Sequence, residues 1–187
     1  MGEGVRNPRP AAPGTQANIE MAAMIRVDQA GEYGAVRIYA GQLAVFGTRN
    51  SKTADAIRHM ARQEDVHLKR FDDLIKARGV RPTVLQPVWQ VAGFALGAAT
   101  ALMGEHIAMA CTEAVEEVID AHYADQIAAL GEADPELKGT IEQFRADEIA
   151  HRDTAIAHGS EQAVGHGLLT AAIKTGCRLA IALSTRI

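Results

Sequence analysis

The sequence is poor in the residues that staple or anchor a small fold. It holds two cysteines, one tryptophan, three tyrosines and four phenylalanines in 187 residues. Cys111 and Cys177 cannot build a disulfide framework, and their separation fits no short zinc spacing. A reducing compartment is the simpler expectation. No segment alternates apolar and polar residues between turn signals, so no sheet is expected. No G-x-G-x-x-G turn is present, which leaves no Rossmann-type dinucleotide module. Positive charge is not in excess either. The net charge is −4, so nucleic acid is not an expected partner. The first residues carry Pro8, Pro10 and Pro13 but no apolar run. They do not read as a secretory signal, and residues 1–17 are expected to form a flexible arm.

What remains is 48% hydrophobic and rich in alanine, which favours helix over strand. The expected fold is all-α. Helical periodicity runs from about Ile19 to Phe46 and stops at Gly47. Ser51 is a candidate N-cap for a second helix ending near Arg78, before Gly79. Gln86-Pro87 opens a third segment, to about Met103, and a fourth spans Glu105–Leu130. Asp134-Pro135-Glu136 combines a capping carboxylate, proline at the first helical position and an acid in the first turn. That fifth helix runs to about His158, and a last one covers Leu168–Ser184.

The chain repeats itself at an offset of 84 residues. Glu32 falls on Glu116, Glu64 on Glu148, His67 on His151 and Tyr39 on Tyr123, and YAGQLA is echoed by YADQIA. Each half therefore holds a Glu and, 32 residues later, Glu-x-x-His. Residues i and i+3 share a helix face, so Glu64 with His67, and Glu148 with His151, can point at one metal. A 32-residue separation fits one helical hairpin, which returns the chain to its starting height. Two such hairpins would bring Glu32, Glu64, His67, Glu116, Glu148 and His151 to one level. This is the inward-facing ligand set of a di-iron or di-manganese carboxylate bundle; zinc would also bind it. The repeat selects Glu116 over Glu113 and Glu117, which map to Gln29 and Tyr33. The alternative is a duplicated hairpin with exposed charges and no metal.

Other residues are candidates for supporting roles. Asp147, beside Glu148, is either a surface aspartate or the acceptor for the free N–H of His67. Tyr39 and Tyr123 lie two turns after Glu32 and Glu116. They read as packed core residues or as hydrogen-bonding or electron-transfer groups beside the metals. His122 could touch substrate or stand partly exposed. His59, His106, His158 and His166 match no ligand spacing.

Two apolar segments, near residues 86–103 and 163–185, lie outside this plan. Residues 88–104 carry no charge and their small side chains permit close packing, but the run is short for a membrane span of ~20 residues. In the last segment Lys174 and Arg178 form a basic strip beside an apolar face, a pattern suited to a bilayer interface. Both segments could instead cover the bundle, or do both.

The stretches RVDQAGEYGAVRIYAGQLAV, QEDVH, AMACTEAVEEVIDAHYADQIAAL, DEIAH and GCRLAIALSTRI together resemble the 5-demethoxyubiquinone hydroxylase family of ubiquinone biosynthesis, from about Asn18 to Ile187. The resemblance implies that residues 18–187 form a single ferritin-like di-iron domain, a four-helix bundle with two additional apolar, membrane-facing helical segments. It implies a monooxygenase that uses O₂ and NADH to hydroxylate the ring of demethoxyubiquinone, with two iron ions per chain on the six residues above. It also implies a peripheral enzyme of the ubiquinone-bearing membrane, with a lipid-binding accessory protein as partner. With no presequence, the expected place is the cytoplasmic face of a bacterial inner membrane, or the matrix face if mitochondrial. Arg178 and Tyr123 are the candidates for meeting NADH. Exposed apolar helices could also drive homo-oligomers when lipid is absent. Rival readings are an iron-storage ferroxidase, a di-manganese catalase or rubrerythrin-like peroxidase, and a non-catalytic membrane scaffold; the rubrerythrin-like case lacks its usual Cys-x-x-Cys module.

Overall fold

A computed structural model describes residues 16–47 and 51–187, and the regular structure among them is helical. The elements are α1 (Gln16–Phe46), α2 (Lys52–Arg78), α3 (Gln86–Leu102), α4 (Glu105–Leu130), α5 (Pro135–Ala157), a 3₁₀ turn at Ser160–Gln162, and α6 (His166–Ser184). Of the expected arm, residues 1–15 lie outside the described residues. Helix α1 begins at Gln16, three residues ahead of the expected start, because Gln16 and Ala17 are good helix formers with no proline after Pro13 to stop them. Helix α6 likewise begins two residues early, after Gly165.

The punctuation sets the hairpins. The Ser51 side chain accepts a hydrogen bond from the Ala54 amide at 3.1 Å and caps α2. At the other end Gly79 takes φ +63°, and the Val80 amide returns to the Ile75 carbonyl at 3.0 Å. Asp134 caps α5 through the Leu137 amide at 3.0 Å and also pairs with Arg78 across the bundle.

Helices α1 and α2 form one hairpin, and α4 and α5 the other. The arrangement fits the ferritin-like four-helix plan. Two apolar clusters fill its ends. Ile25, Phe71, Tyr123 and Phe144 anchor one; Phe46, Ile57, Met60 and Met109 anchor the other. On every bundle helix the repeated Glu and His positions fall between a residue of one cluster and a residue of the other.

The remaining helices lie outside the bundle, α3 on α1 and α6 on α4. Helix α3 touches α1 backbone to backbone. A Cβ on Gly97 would come within 1.9 Å of the Ile38 carbonyl oxygen, and one on Gly93 within 2.9 Å of that of Gly34. Helix α6 is held differently. His166 Nε2 lies 2.9 Å from Glu113 Oε2, and Lys174 pairs with Glu117. Lys174 is therefore not half of an exposed basic strip, because α6 packs the flank that carries it onto α4. Arg178 stays exposed, with no hydrogen bond or ion pair among the described residues. Helix α6 is the one described helix long and apolar enough to cross a bilayer, by length and composition alone.

Candidate metal centre

The structure brings Glu32, Glu64, His67, Glu116, Glu148 and His151 to one level, each at most 2% exposed. Their donor atoms form two overlapping groups. Glu32, Glu64, His67 and Glu148 make one; Glu64, Glu116, Glu148 and His151 make the other; within each, the donors lie within 4.8 Å of one another. Only Glu64 and Glu148 belong to both.

Both imidazoles aim Nδ1 inward. His67 Nδ1 is 3.2 Å from Glu148 Oε1 and 3.6 Å from Glu32 Oε2. His151 Nδ1 is 3.0 Å from Glu64 Oε1 and 3.2 Å from Glu148 Oε2. The outward nitrogens are tied to the opposite hairpin. His67 Nε2 donates to Asp147 Oδ2 at 3.1 Å, the second of the two placements considered for Asp147. His151 Nε2 donates to the amide oxygen of Gln63 at 3.2 Å. Gln63 was not singled out in the sequence, although the 84-residue offset places it on Asp147; an amide seldom draws notice as the partner of a ligand.

The tyrosines cross over as well. Tyr39 on α1 donates to Glu116 Oε1 at 2.8 Å, and Tyr123 on α4 donates to Glu32. Burial and the adjacent carboxylates hold both phenols well above their ordinary range, so they stay protonated donors. Tyr123 is 1% exposed, so a nicotinamide arriving from solvent does not reach it. His122 stands at the edge, donating to the buried Asp28 at 3.2 Å, with Gln126 donating to the same oxygen at 2.7 Å. Arg178 takes no part in this network.

Four carboxylates in one dry space are costly unless cations accompany them. Burial and mutual repulsion push Glu64 and Glu116 well above the usual carboxylate range. His67 would lose its charge to burial, but the Glu148 and Glu32 carboxylates beside it push it up to about 10. Glu148, raised by burial, is brought down to about 2 by its contacts with both histidines. Protonated His67 thus supplies positive charge that the carboxylates demand, in the place a metal cation would take. Glu32 Oε2, both oxygens of Glu64, Glu116 Oε2, Glu148 Oε1 and His67 Nδ1 are buried without a hydrogen-bond partner. Carboxylate oxygens with free lone pairs, and imidazole nitrogens that would yield their protons to a metal, converge from four helices and fit two divalent cations of the iron or manganese kind.

Beside this centre an apolar cleft of about 630 Å³ opens between α3 and α6, with α1 and α4 as its floor. Gly31 and Ala35 bracket Glu32 along that floor, and Val115 and Ile119 bracket Glu116.

The family described as "Ubiquinone biosynthesis protein COQ7" matches residues 19–184. The chain is 54% identical over 178 residues to a Rhodospirillum rubrum protein named 3-demethoxyubiquinol 3-hydroxylase, covering 95% of this chain and 82% of that one. It is 53% identical over 179 residues to a mouse protein named NADPH-dependent 3-demethoxyubiquinone 3-hydroxylase, mitochondrial, covering 92% and 82%. A Saccharomyces cerevisiae protein named 5-demethoxyubiquinone hydroxylase, mitochondrial, is 45% identical over 179 residues, covering 88% and 77%.

Proposed function

Since this chain belongs to the COQ7 family of ubiquinone biosynthesis proteins, we propose that it is a di-iron monooxygenase that hydroxylates the ring of demethoxyubiquinone with O₂ and NADH. The observation that carries the reading is the pair of overlapping buried donor sets sharing Glu64 and Glu148. In it, Glu32 and His67 would hold one ion and Glu116 and His151 the other, with Glu64 and Glu148 shared between them. Two iron ions so held would supply the redox chemistry by which O₂, with two electrons from NADH, gives one oxygen atom to the vacant ring carbon and the other to water.

The chain's own residues do the rest. Asp147 and Gln63 fix the imidazole rings with Nδ1 inward. Tyr39 and Tyr123 orient the outer carboxylates by donating hydrogen bonds to them. The two apolar clusters keep water from the centre. The cleft receives the quinone, its ring over the floor residues backed by Glu32 and Glu116 and its prenyl tail against α3 and α6. His122, partly exposed and held by Asp28, is the group at the edge of the centre that would meet the substrate. Arg178 is the exposed cation offered to the reductant. The mouse relative's name specifies NADPH, so both nicotinamides belong in the assay.

Val91, Leu102, Leu168 and Leu179, on α3 and α6, are each more than 60% exposed, which supports a peripheral seat on the membrane that stores the substrate. For a bacterial protein that is the cytoplasmic face of the inner membrane; for a mitochondrial one, the matrix face. The same surface suits a lipid-binding accessory protein or a second copy of the chain. The test is product analysis with ferrous protein, nicotinamide, ¹⁸O₂ and short-tailed demethoxyubiquinone. One labelled oxygen in the ring, abolished by Glu148→Ala, supports the reading. No labelled product from a protein shown to hold two irons would sink it.

A further inference from the structure

The cleft between α3 and α6 is finished differently at its two ends. Lining residues on α6 run from Leu169 to Ser184, about 22 Å of helix. Helix α3 runs the other way, so its start lies against the end of α6. There Trp89 Nε1 donates to Ser184 Oγ at 3.0 Å, directly across the cleft. More bonds reinforce that end. Thr83 donates to the Ile187 carbonyl at 2.5 Å, and Arg26 bridges the carbonyls of Arg81, at 2.8 Å, and Thr185, at 3.3 Å. Helix α1, the α2–α3 connection, α3 and the end of α6 are thus stitched together by directional bonds. Ser184 is 2% exposed, so parting the tie would leave a buried hydroxyl unpaired.

Among the described residues no such bond joins α3 to α6 at the far end, where His166 ties α6 to α4 instead. Leu96 and Leu169 pack there against Ile38 and Ile173, and these contacts are apolar only. An apolar chain can replace a leucine's contacts without orphaning any polar group. Just beyond stand Leu102, Met103, Val164 and Leu168, 65–88% exposed.

Resting on the proposed reading that the cleft receives a tailed quinone, we infer that the Trp89–Ser184 bond is the closed end of the cleft and sends the tail out past Leu96 and Leu169, toward Leu102 and Leu168. Trp89 is then a positioning residue. It fixes which way the tail points, and so how the ring lies over the floor that carries Glu32 and Glu116.

The single tryptophan makes the inference measurable without turnover. The probe is a demethoxybenzoquinone with a short prenyl tail ending in bromine, a contact quencher of indole emission. It is added to the iron-loaded full chain in micelles, beside the same quinone without bromine. Quenching relieved by excess unbrominated quinone is the bound signal. The expected result is that the ring dims Trp89 while bromine adds nothing. In Leu168→Trp, the added emission is largely lost to bromine. Bromine quenching of Trp89 that spares the Leu168→Trp emission overturns the inference and leaves the cleft reading intact, as does ring quenching with bromine reaching neither. No ring quenching at all removes the cleft reading and the inference with it. Ser184→Ala should let bromine reach Trp89; unchanged emission there overturns the role of the tie.

Discussion

The two halves of the molecule, α1–α3 and α4–α6, agree at the centre and part company toward the edges. Each gives one Glu from its first helix, Glu-x-x-His from its second and a tyrosine that crosses to the other half's carboxylate. Shifted by the repeat length, α3 falls over most of α6, so the third helices also correspond. Yet α3 is seated on α1 by glycines and α6 on α4 by a hydrogen bond and an ion pair. His67 leans on a carboxylate, His151 on an amide. Only the second half carries a histidine at the edge, His122, where the first has Ile38. The two halves are thus alike where their donors converge and unlike around them, as the proposed reading requires of a pair of metal sites serving one asymmetric substrate.

The largest break in that symmetry would come from the shared carboxylates. Glu64→Ala or Glu148→Ala removes a donor from both ions at once, so both should be lost and turnover abolished. Glu32→Ala and Glu116→Ala each touch one ion, and each should retain close to one iron per chain. Metal counts after gel filtration, with circular dichroism to confirm the helices, check this. Equal losses from all four would mean that Glu64 and Glu148 are not bridges. The metal-free variants should still fold, since each removes one of four crowded buried carboxylates.

The third helices give the next effect. Gly97→Ala drives a Cβ into the Ile38 carbonyl, so α3 must lift off α1. Overpacking of that kind costs about 3 kcal/mol, a fall in Tm of roughly 6–12 °C for a chain of this size. On α6 the repeat places Ile181 where α3 has Gly97, and the nearby Gly176→Ala meets nothing within 4 Å and should gain about 0.5–1 kcal/mol from helix propensity. Thermal melts of the two variants decide it. Similar melting points would show that the glycine seam does not distinguish α3 from α6.

How much of this the sequence displayed depended on the range of the interaction. Helix limits were legible because caps such as Ser51 and Asp134 act within three residues of themselves. The converging set at Glu32, Glu64, His67, Glu116, Glu148 and His151 was legible because duplication wrote the spacing twice. The contacts of α6 were not. His166 meets Glu113 across 53 residues and Trp89 meets Ser184 across 95, and no local pattern encodes either. Nor did the third helices advertise their correspondence. Apolar packing preserves size and hydrophobicity rather than residue identity, and only the backbone seats show how far α3 and α6 have diverged. Lys174 misled for the same reason: a basic strip on α6 cannot reveal that Glu117 waits on α4.

The finest difference between the halves is the pair Asp147 and Gln63, equivalent in the repeat and unlike in charge. A carboxylate behind an imidazole draws its N–H and makes the inward nitrogen a stronger donor, whereas an amide oxygen does so more weakly. The ion on His67 should therefore be the tighter of the two. Asp147→Asn should weaken it about 10–100-fold, with the ion on His151 little changed, so that the two halves bind alike. Gln63→Glu should equalise them from the other direction, by strengthening the ion on His151. Iron titration against a competing chelator reads both, and the iron spectra of the two sites should converge in each variant. If Asp147→Asn instead weakens both ions together, the partner behind His67 acts by holding α5 in place. The charge difference between the halves would then have no bearing on the metals.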